Sequence, residues 1–442
     1  MKNLFEEFTK PNYEDWINQL IKDLKEQPKE LIQRNDLIEE LSFNSYQHQD
    51  SENTTSNPAF ENQYVRQTYN TDNRWENLGL IIVKDEIDAN KKALNLLNLG
   101  ATALRFDLAN EKTKLRALTK EIQLQYIETT FRVKSINQYL SIISELNEEE
   151  QKSVFFELEL GHISDWQKLV QSLKEKQRYT LIANGYNLQQ CGATTWQEIA
   201  YVLSQGHEYL NLLTNNGLSI DEAAACIHFN IGVGANYFYE IAKIRSLRLL
   251  WARIIEEYHP EHACSYNARI TGTTGFTNKS LKDPHTNLLR QTTEAMSLAF
   301  SGVHAICVQP YDSNSTKGTT TLSTRMAINI PLILQEESYL DKVIDPLGGS
   351  YTIEYLTNEI ADKAWDLFQK IEELGGIATE EAKSFITKNV AIKTQLRKER
   401  IAEKTDSLIG INIFPNPVNE ENEWLLFEEY LGLKQLILEE KN

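Results

Sequence analysis

The feature that most constrains this chain is an alternation. After Arg74, short runs rich in β-branched, aromatic and aliphatic residues take turns with longer amphipathic runs. The short runs fall at Leu78–Val83, Ala103–Leu108, Ile122–Ile127, Ser153–Leu160, Tyr179–Asn184, Ala224–Ile231, Asn267–Gly272 and His304–Gln309. Between them, Ala89–Leu99, Ile136–Glu145, Ser164–Lys176, Trp196–Thr214, Tyr237–Glu257 and Asn287–Phe300 repeat apolar residues at three- and four-residue steps. That spacing gathers them on one face of a helix. A strand, a helix and another strand in series favour parallel pairing, because only a crossover returns the chain to the same sheet edge. Eight such units predict an α/β chain closed into a (β/α)8 TIM barrel, with an open doubly wound sheet as the alternative.

The flanks read differently. Tyr13, Trp16, Ile17, Leu20, Ile21 and Leu24 have helical spacing, so the chain up to about residue 45 is predicted to be helical. Residues 44–73 are polar and without period, and predict an irregular linker or an extended arm that crosses another surface. Beyond Ser323 the pattern is helical again, at Asn358–Leu374 and Thr379–Glu399, with Gly375 and Gly376 as the cap and turn between them. The expected organisation is an N-terminal helical segment and arm over 1–73, a barrel with C-terminal helices over 74–415, and a tail over 416–442.

Charge narrows the partners. Sixty-three acidic against forty-five basic side chains leave −18, a surface that repels phosphate backbones and argues against nucleic acid. No run approaches the ~18 apolar residues of a membrane span. The acidic start lacks the basic-then-apolar pattern of a secretory leader, so a cytoplasmic location is expected. Cys191, Cys226, Cys264 and Cys307 lie far apart, which fits reduced thiols rather than a disulfide framework.

Barrel chemistry gathers at the C-terminal ends of strands. The fifth run ends in Asn184-Gly185-Tyr186-Asn187-Leu188-Gln189, with amides and a phenol but nothing that titrates near neutral pH. The seventh carries Arg269, Thr271 and Thr273 at alternate positions, one polar face toward the lumen. Arg269 there suits either an anion or, more plainly, a structural ion pair. Cys307 in the eighth has no base nearby in sequence and reads as packing. His228 reads as a satisfied core histidine, and Gly232-Val-Gly234 as a tight turn rather than a dinucleotide fingerprint. His259-x-x-His262-x-Cys264 has ligand types but no fourth ligand nearby. The barrel carries no evident chemistry of its own.

The ordered motifs nevertheless match a family. NGYNLQQCGAT over residues 184–194 resembles the "SGYHMQEAGAT" block of methylmalonyl-CoA mutases. In the family's order there follow Glu240-Ile-Ala-Lys-Ile-Arg245, Arg248-Leu-Leu-Trp251, Asp283-Pro284 with Asn287 and Arg290, and Glu294-Ala-Met296. Gln335-Glu-Glu-Ser338, Asp345-Pro-x-Gly-Gly-Ser-Tyr351 and Gly410-Ile-Asn412 complete the set, so the resemblance covers about residues 75–415. It implies a barrel that admits the pantetheine arm of acyl-CoA along its axis. It also implies a separate domain that brings adenosylcobalamin onto the barrel's top for radical rearrangement of methylmalonyl-CoA to succinyl-CoA.

The departures are systematic. The family's histidine after the strand-five tyrosine is Asn187 here, although Tyr186 and Gln189 remain. Its "R-x-H-x-Q-T-S-G" block falls on Arg269, Thr271 and Thr273, and its "SLHTN" histidine on Cys307. No "TxQNDxLKE" segment occurs between residues 150 and 180, and no Asp-x-His-x-x-Gly motif of a cobalamin-binding domain appears. Neutral replacements donate weaker hydrogen bonds than charged ones, by about twofold. The resemblance therefore implies a vestigial substrate site at Tyr186, Asn187, Gln189, Arg269, Thr271, Thr273 and Cys307. It implies no catalytic residue, no metal site and no cofactor on this chain. It points to a small, non-catalytic type of chain in a heterodimer with a larger catalytic one that binds the adenosylcobalamin. An active acyl-CoA mutase that borrows a separate cobalamin-binding protein, and an acyl-CoA-binding module, are the alternatives.

Overall fold

The computed structural model describes residues 9, 11–25, 32–48, 63–65, 72–175, 179–416, 423–426 and 429–439. A hairpin of β1 (Gln33–Asp36) and β2 (Leu41–Asn44) precedes eight parallel strands. These are β3 (Glu76–Val83), β4 (Ala103–Leu108), β5 (Glu128–Arg132), β6 (Val154–Glu157), β7 (Leu181–Asn184), β8 (Ile227–Val233), β9 (Ile270–Thr274) and β10 (Ala305–Cys307). Each pairs with its sequence neighbour, and β10 pairs back onto β3. A parallel bridge between Leu158 and Leu181, with the Leu158 N–H donating to the Thr180 carbonyl at 2.9 Å, joins β6 to β7. The ring is closed, as the alternation predicts.

Helices cover the outside. They are α1 (Tyr13–Asp23), α2 (Glu86–Leu99), α3 (Leu115–Leu118), α4 (Ile136–Glu145), α5 (Trp166–Glu175), α6 (Tyr186–Gln190) and α7 (Thr195–Asn215). There follow α8 (Ile220–Ala224), α9 (Tyr237–Glu256), α10 (Asn287–Ser301), α11 (Thr321–Leu332), α12 (Tyr351–Glu373) and α13 (Glu380–Ala402). Their starts are coded locally. At α7 the Thr194 hydroxyl accepts the Gln197 N–H while the Gln197 side chain accepts the Thr194 N–H.

The outer strand faces press on these helices. A Cβ placed on Gly272 would stand 2.1 Å from Leu298 Cδ2 of α10, so only glycine lets helix and strand approach this closely. Because side chains alternate along a strand, Gly272 outward means Thr271 and Thr273 inward. That matches the expected polar face.

Several residues of the family-like motifs turn out to be clamps. Arg245 on α9 reaches Glu354 Oε1 at 2.6 Å and Thr357 Oγ1 at 3.3 Å, and pairs with Asp345. It thereby ties α9 to α12 and to the Asp345–Tyr351 loop. Arg248 donates to the Ser301 carbonyl at 2.6 Å and to that of Gly302, covering acceptors that the end of α10 would leave bare. Lys243 lies between Glu198 (2.9 Å) and Glu240 and donates to the Gly232 carbonyl at 2.6 Å. All these cations are buried. Removing one partner of such a pair costs about 3–5 kcal/mol, because a buried charge is left bare.

Two expectations fail. The run Ile122–Ile127 is not a strand: it is a turn whose Ile122 and Leu124 dip into the core, and the strand is Glu128–Arg132. Charged ends hid it, since Glu128 and Arg132 point into the barrel rather than to solvent. Among the described residues of the segment up to 45, Tyr13–Asp23 is helical as expected, but Gln33–Asn44 is the hairpin. Asp36 Oδ1 accepts the N–H groups of Ile38 and Glu39 at 2.9 Å each, a side-chain turn that competes with helix. Most of the arm predicted over 44–73 lies outside the described residues. Of its described points, Tyr64 stacks on Tyr266 at 4.6 Å and Val65 is buried against this chain.

Candidate functional site

The barrel lumen is filled in layers. At its N-terminal end, Arg269 sits 2.6 Å from Glu128 and lies over Phe155 and Tyr179, 4.9 and 4.6 Å from their ring centres. His304 Nε2 meets the same carboxylate at 3.0 Å. Burial pushes the Glu128 carboxyl up, but His304 and Arg269 outweigh it and hold the group at about 2. Arg269 therefore belongs to a floor that closes the barrel from below. The sequence placed it with the site at the mouth; it precedes β9 and lies at the other end, in the structural ion pair that was the plainer reading.

One layer up, Leu78, Ala103, Ala305 and Cys307 form a small apolar cluster separate from the main core. Beside it Arg105 and Glu157, each 3% exposed, face one another at 3.5 Å, and His228 Nε2 stands 3.8 Å from the same carboxylate oxygen. Among the described residues, Arg105 Nε and Nη1, Glu157 Oε2 and His228 Nδ1 have no hydrogen-bond partner. Burial pushes Glu157 up, yet Arg105, His228 and Arg132 together hold it at about 2. His228 is thus a half-satisfied lumen residue rather than a satisfied core histidine. Thr271 lies level with Ala305, and the Cys307 thiol is pushed up by burial against the pull of Arg105.

The upper layer is a belt. Thr273 Oγ1 donates to Asn230 Oδ1 (2.9 Å), Asn230 to Asn184 Oδ1 (3.0 Å), and Asn184 to Glu159 Oε1 (3.0 Å). Glu159 then pairs with Arg132, which stands 3.8 Å from Asp107. The belt runs from β9 round to β4. Its three charged groups are held within the protein, the one guanidinium of Arg132 standing between the carboxylates of Glu159 and Asp107.

Above the belt, α6 carries the remaining candidates. Tyr186 and Asn187 are half-buried, and burial together with Cys307 raises the Tyr186 phenol. Gln189 is buried, accepts from Gln190 and donates weakly to Thr277 Oγ1 at 3.4 Å. It also lines a cavity of about 530 Å³ with Glu198, Glu240, Lys243 and Arg290. Burial and Glu240 raise the Glu198 carboxyl to about 7 even though Lys243 opposes them. One ammonium serves two carboxylates there. The structure thus gathers Tyr186, Asn187, Gln189, Thr273 and Cys307 at the upper end and separates Arg269 from them.

Sequence reasoning missed the lumen charges. The signal was present in Leu104-Arg105-Phe106-Asp107-Leu108 and Phe156-Glu157-Leu158-Glu159, where charges alternate with apolar residues in strand-like runs. In an ordinary sheet such charges face solvent; in a closed barrel they face the axis. Among the described residues no group of three or more His, Cys, Asp and Glu could hold a metal ion, and His259, His262 and Cys264 do not form one. No described helix is long and apolar enough to cross a membrane.

Comparison with known proteins places this architecture. The sequence profile of methylmalonyl-CoA mutase matches residues 142–435. The methylmalonyl-CoA mutase small subunit of Porphyromonas gingivalis is 36% identical over 446 residues, which is 94% of this chain and 71% of that protein. The methylmalonyl-CoA mutase of Rhizobium meliloti is 37% identical over 54% of this chain, and the human mitochondrial enzyme 36% over 52%. This chain spans only 34% and 30% of those two longer proteins. Profile, near full-length relative and the order of the buried clamps agree: the chain belongs to the methylmalonyl-CoA mutase family.

Proposed function

We propose that this chain is the small, non-catalytic partner in a two-chain methylmalonyl-CoA mutase, the isomerase that interconverts methylmalonyl-CoA and succinyl-CoA. The observation that carries the reading is the filled lumen. An acyl-CoA arm threaded along the axis needs a continuous channel. Here the axis meets the Arg269–Glu128–His304 floor, the Arg105–Glu157 pair and the Asn230–Asn184 belt in turn. To admit a pantetheine arm, buried ion pairs would have to separate, each at about 3–5 kcal/mol. Tyr186, Asn187, Gln189, Thr271, Thr273 and Cys307 then stand as remnants of a site whose channel is closed.

The cofactor reading follows. The described residues of the mouth do not fit adenosylcobalamin, because residues 429–439 cross the face on which it would rest, and Leu436 and Ile437 are buried there. The assembled enzyme's cobalamin belongs in this account to the larger chain, and no step of the reaction is assigned to residues of this one. The filled lumen also speaks against the two other readings, an active mutase served by a separate cobalamin-binding protein and a free acyl-CoA-binding module.

A duplicated isologous dimer accounts for such a pair, with one copy keeping the chemistry and the other the contact surface. The polar arm over 44–73 is a candidate for reaching the partner. The test is co-expression with a large methylmalonyl-CoA mutase chain and light scattering on the eluted species. A single one-to-one complex is the expected result. Separate elution, with the large chain stable and active alone, would sink the proposal.

A further inference from the structure

The geometry points to a device that pairing with a larger chain does not require: residues 423–426 and 429–439 form a strap that locks the barrel's C-terminal face shut from within the same chain. The strap is tied to the loops that follow three different strands. After β7, the Leu436 N–H donates to the Gln190 carbonyl at 2.8 Å, and Cys191 Sγ faces the Leu433 carbonyl at 3.8 Å. After β9, the Glu439 carboxylate accepts from Ser280 Oγ (2.5 Å) and from the Leu281 N–H (3.1 Å), while Lys282 Nζ donates to the Glu439 carbonyl (3.0 Å). After β10, the Thr316 N–H donates to the Glu423 carbonyl (2.9 Å) and the Leu425 N–H to that of Asn314 (2.6 Å). A segment bonded to the ends of β7, β9 and β10 spans that side of the mouth.

The strap is also seated. Leu433, Leu436 and Ile437 are buried, and the Tyr430 hydroxyl meets that of Tyr201 on α7 at 2.7 Å. Tyr430 lies within electrostatic reach of Glu159 and Arg132, the belt at the top of the lumen. Glu439 is the anchor: Trp424 Nε1 donates to it as well, at 2.6 Å, so the same carboxylate that grips the β9 loop folds the strap on itself. Charge-assisted bonds to a buried carboxylate are stronger than neutral ones, which suits a latch. Anything that approaches the mouth over the ends of β7, β9 and β10 meets the strap first. The strap can open without unfolding the barrel, because none of its bonds belongs to the strand ladder.

The cysteines provide the test, and it needs no partner chain, so its outcome is independent of the heterodimer. Cys191 lies beneath the strap, Cys226 is buried beside α8 away from it, and Cys264 is exposed. Full-length wild type and Glu439→Ala are pulsed with a maleimide, and each site is followed by mass spectrometry. In wild type Cys264 labels at once and Cys191 slowly; in Glu439→Ala, Cys191 labels at least tenfold faster while Cys226 is unchanged. Cys191 labelling as fast as Cys264 in wild type, an unchanged Cys191 rate in the variant, or Cys226 rising in step with Cys191 would each overturn the proposal. Should the variant fail to fold, amide exchange in wild type decides. The Leu436 amide is expected to exchange through a local opening, well ahead of the Phe229 amide in β8. Exchange of both only together would show that no separate strap exists.

Discussion

Removing the Arg105 side-chain charge is the sharpest test of the filled lumen. Arg105 and Glu157 are 3.5 Å apart. At an effective dielectric of about 20 that separation is worth roughly 5 kcal/mol of attraction, offset by several kcal/mol for desolvating each ion. Arg105→Met keeps most of the volume and strands the carboxylate, so the expected loss at pH 7 is about 3–5 kcal/mol in denaturant unfolding. The double variant Arg105→Met with Glu157→Gln has no buried charge left bare and recovers most of that loss. The pH dependence adds a second signature. Glu157 is held at about 2 against an ordinary 4.5, so its contribution is complete above about 4.5 and lost as pH falls towards 2. In Arg105→Met the carboxyl takes up a proton at a higher pH, and the gap to wild type narrows as the solution is acidified. A loss under ~1 kcal/mol in the single variant, or a double variant no better than the single, would refute the reasoning, since surface pairs behave that way.

Three further outcomes follow from the same geometry. Gly272→Ala places a methyl group against Leu298, and overpacking of about 1–3 kcal/mol is expected, relieved when Leu298→Ala is added; denaturant midpoints of the two variants check it. Glu198 is held at about 7, above its ordinary 4.5, so the folded state binds the extra proton and stability falls as pH rises from about 4.5 through 7. Glu198→Gln flattens that limb of the stability–pH curve. Arg269→Lys keeps the floor's charge but loses the planar stack on Phe155 and Tyr179, and costs about 1–2 kcal/mol by the same unfolding assay.

The barrel was legible in the sequence because its outer faces obey two simple periods. Seven of the eight proposed runs overlap observed strands, and Ala103–Leu108 and Ile136–Glu145 coincide with elements end to end. The run at Ile122–Ile127 misled for a physical reason: its apolar residues anchor a turn, while the true strand, Glu128–Arg132, begins and ends with charges that face the axis. The same effect limited the site. Thr271 and Thr273 were correctly aimed at the lumen by alternation. Arg269, two residues further back, was carried along with them although a strand of that length separates floor from mouth. Arg105, Glu157 and Asp107 escaped notice because only barrel closure turns their faces inward. The strap was unreadable, since its contacts join residues 423–439 to loops more than a hundred residues away.

One measurement bears most directly on the claim that this chain does not itself run the reaction. The purified chain is incubated with methylmalonyl-CoA, adenosylcobalamin and a separately expressed cobalamin-binding domain, and succinyl-CoA is quantified. No product above the level found without the chain is expected. Turnover that survives purification and is abolished by Tyr186→Phe would contradict it.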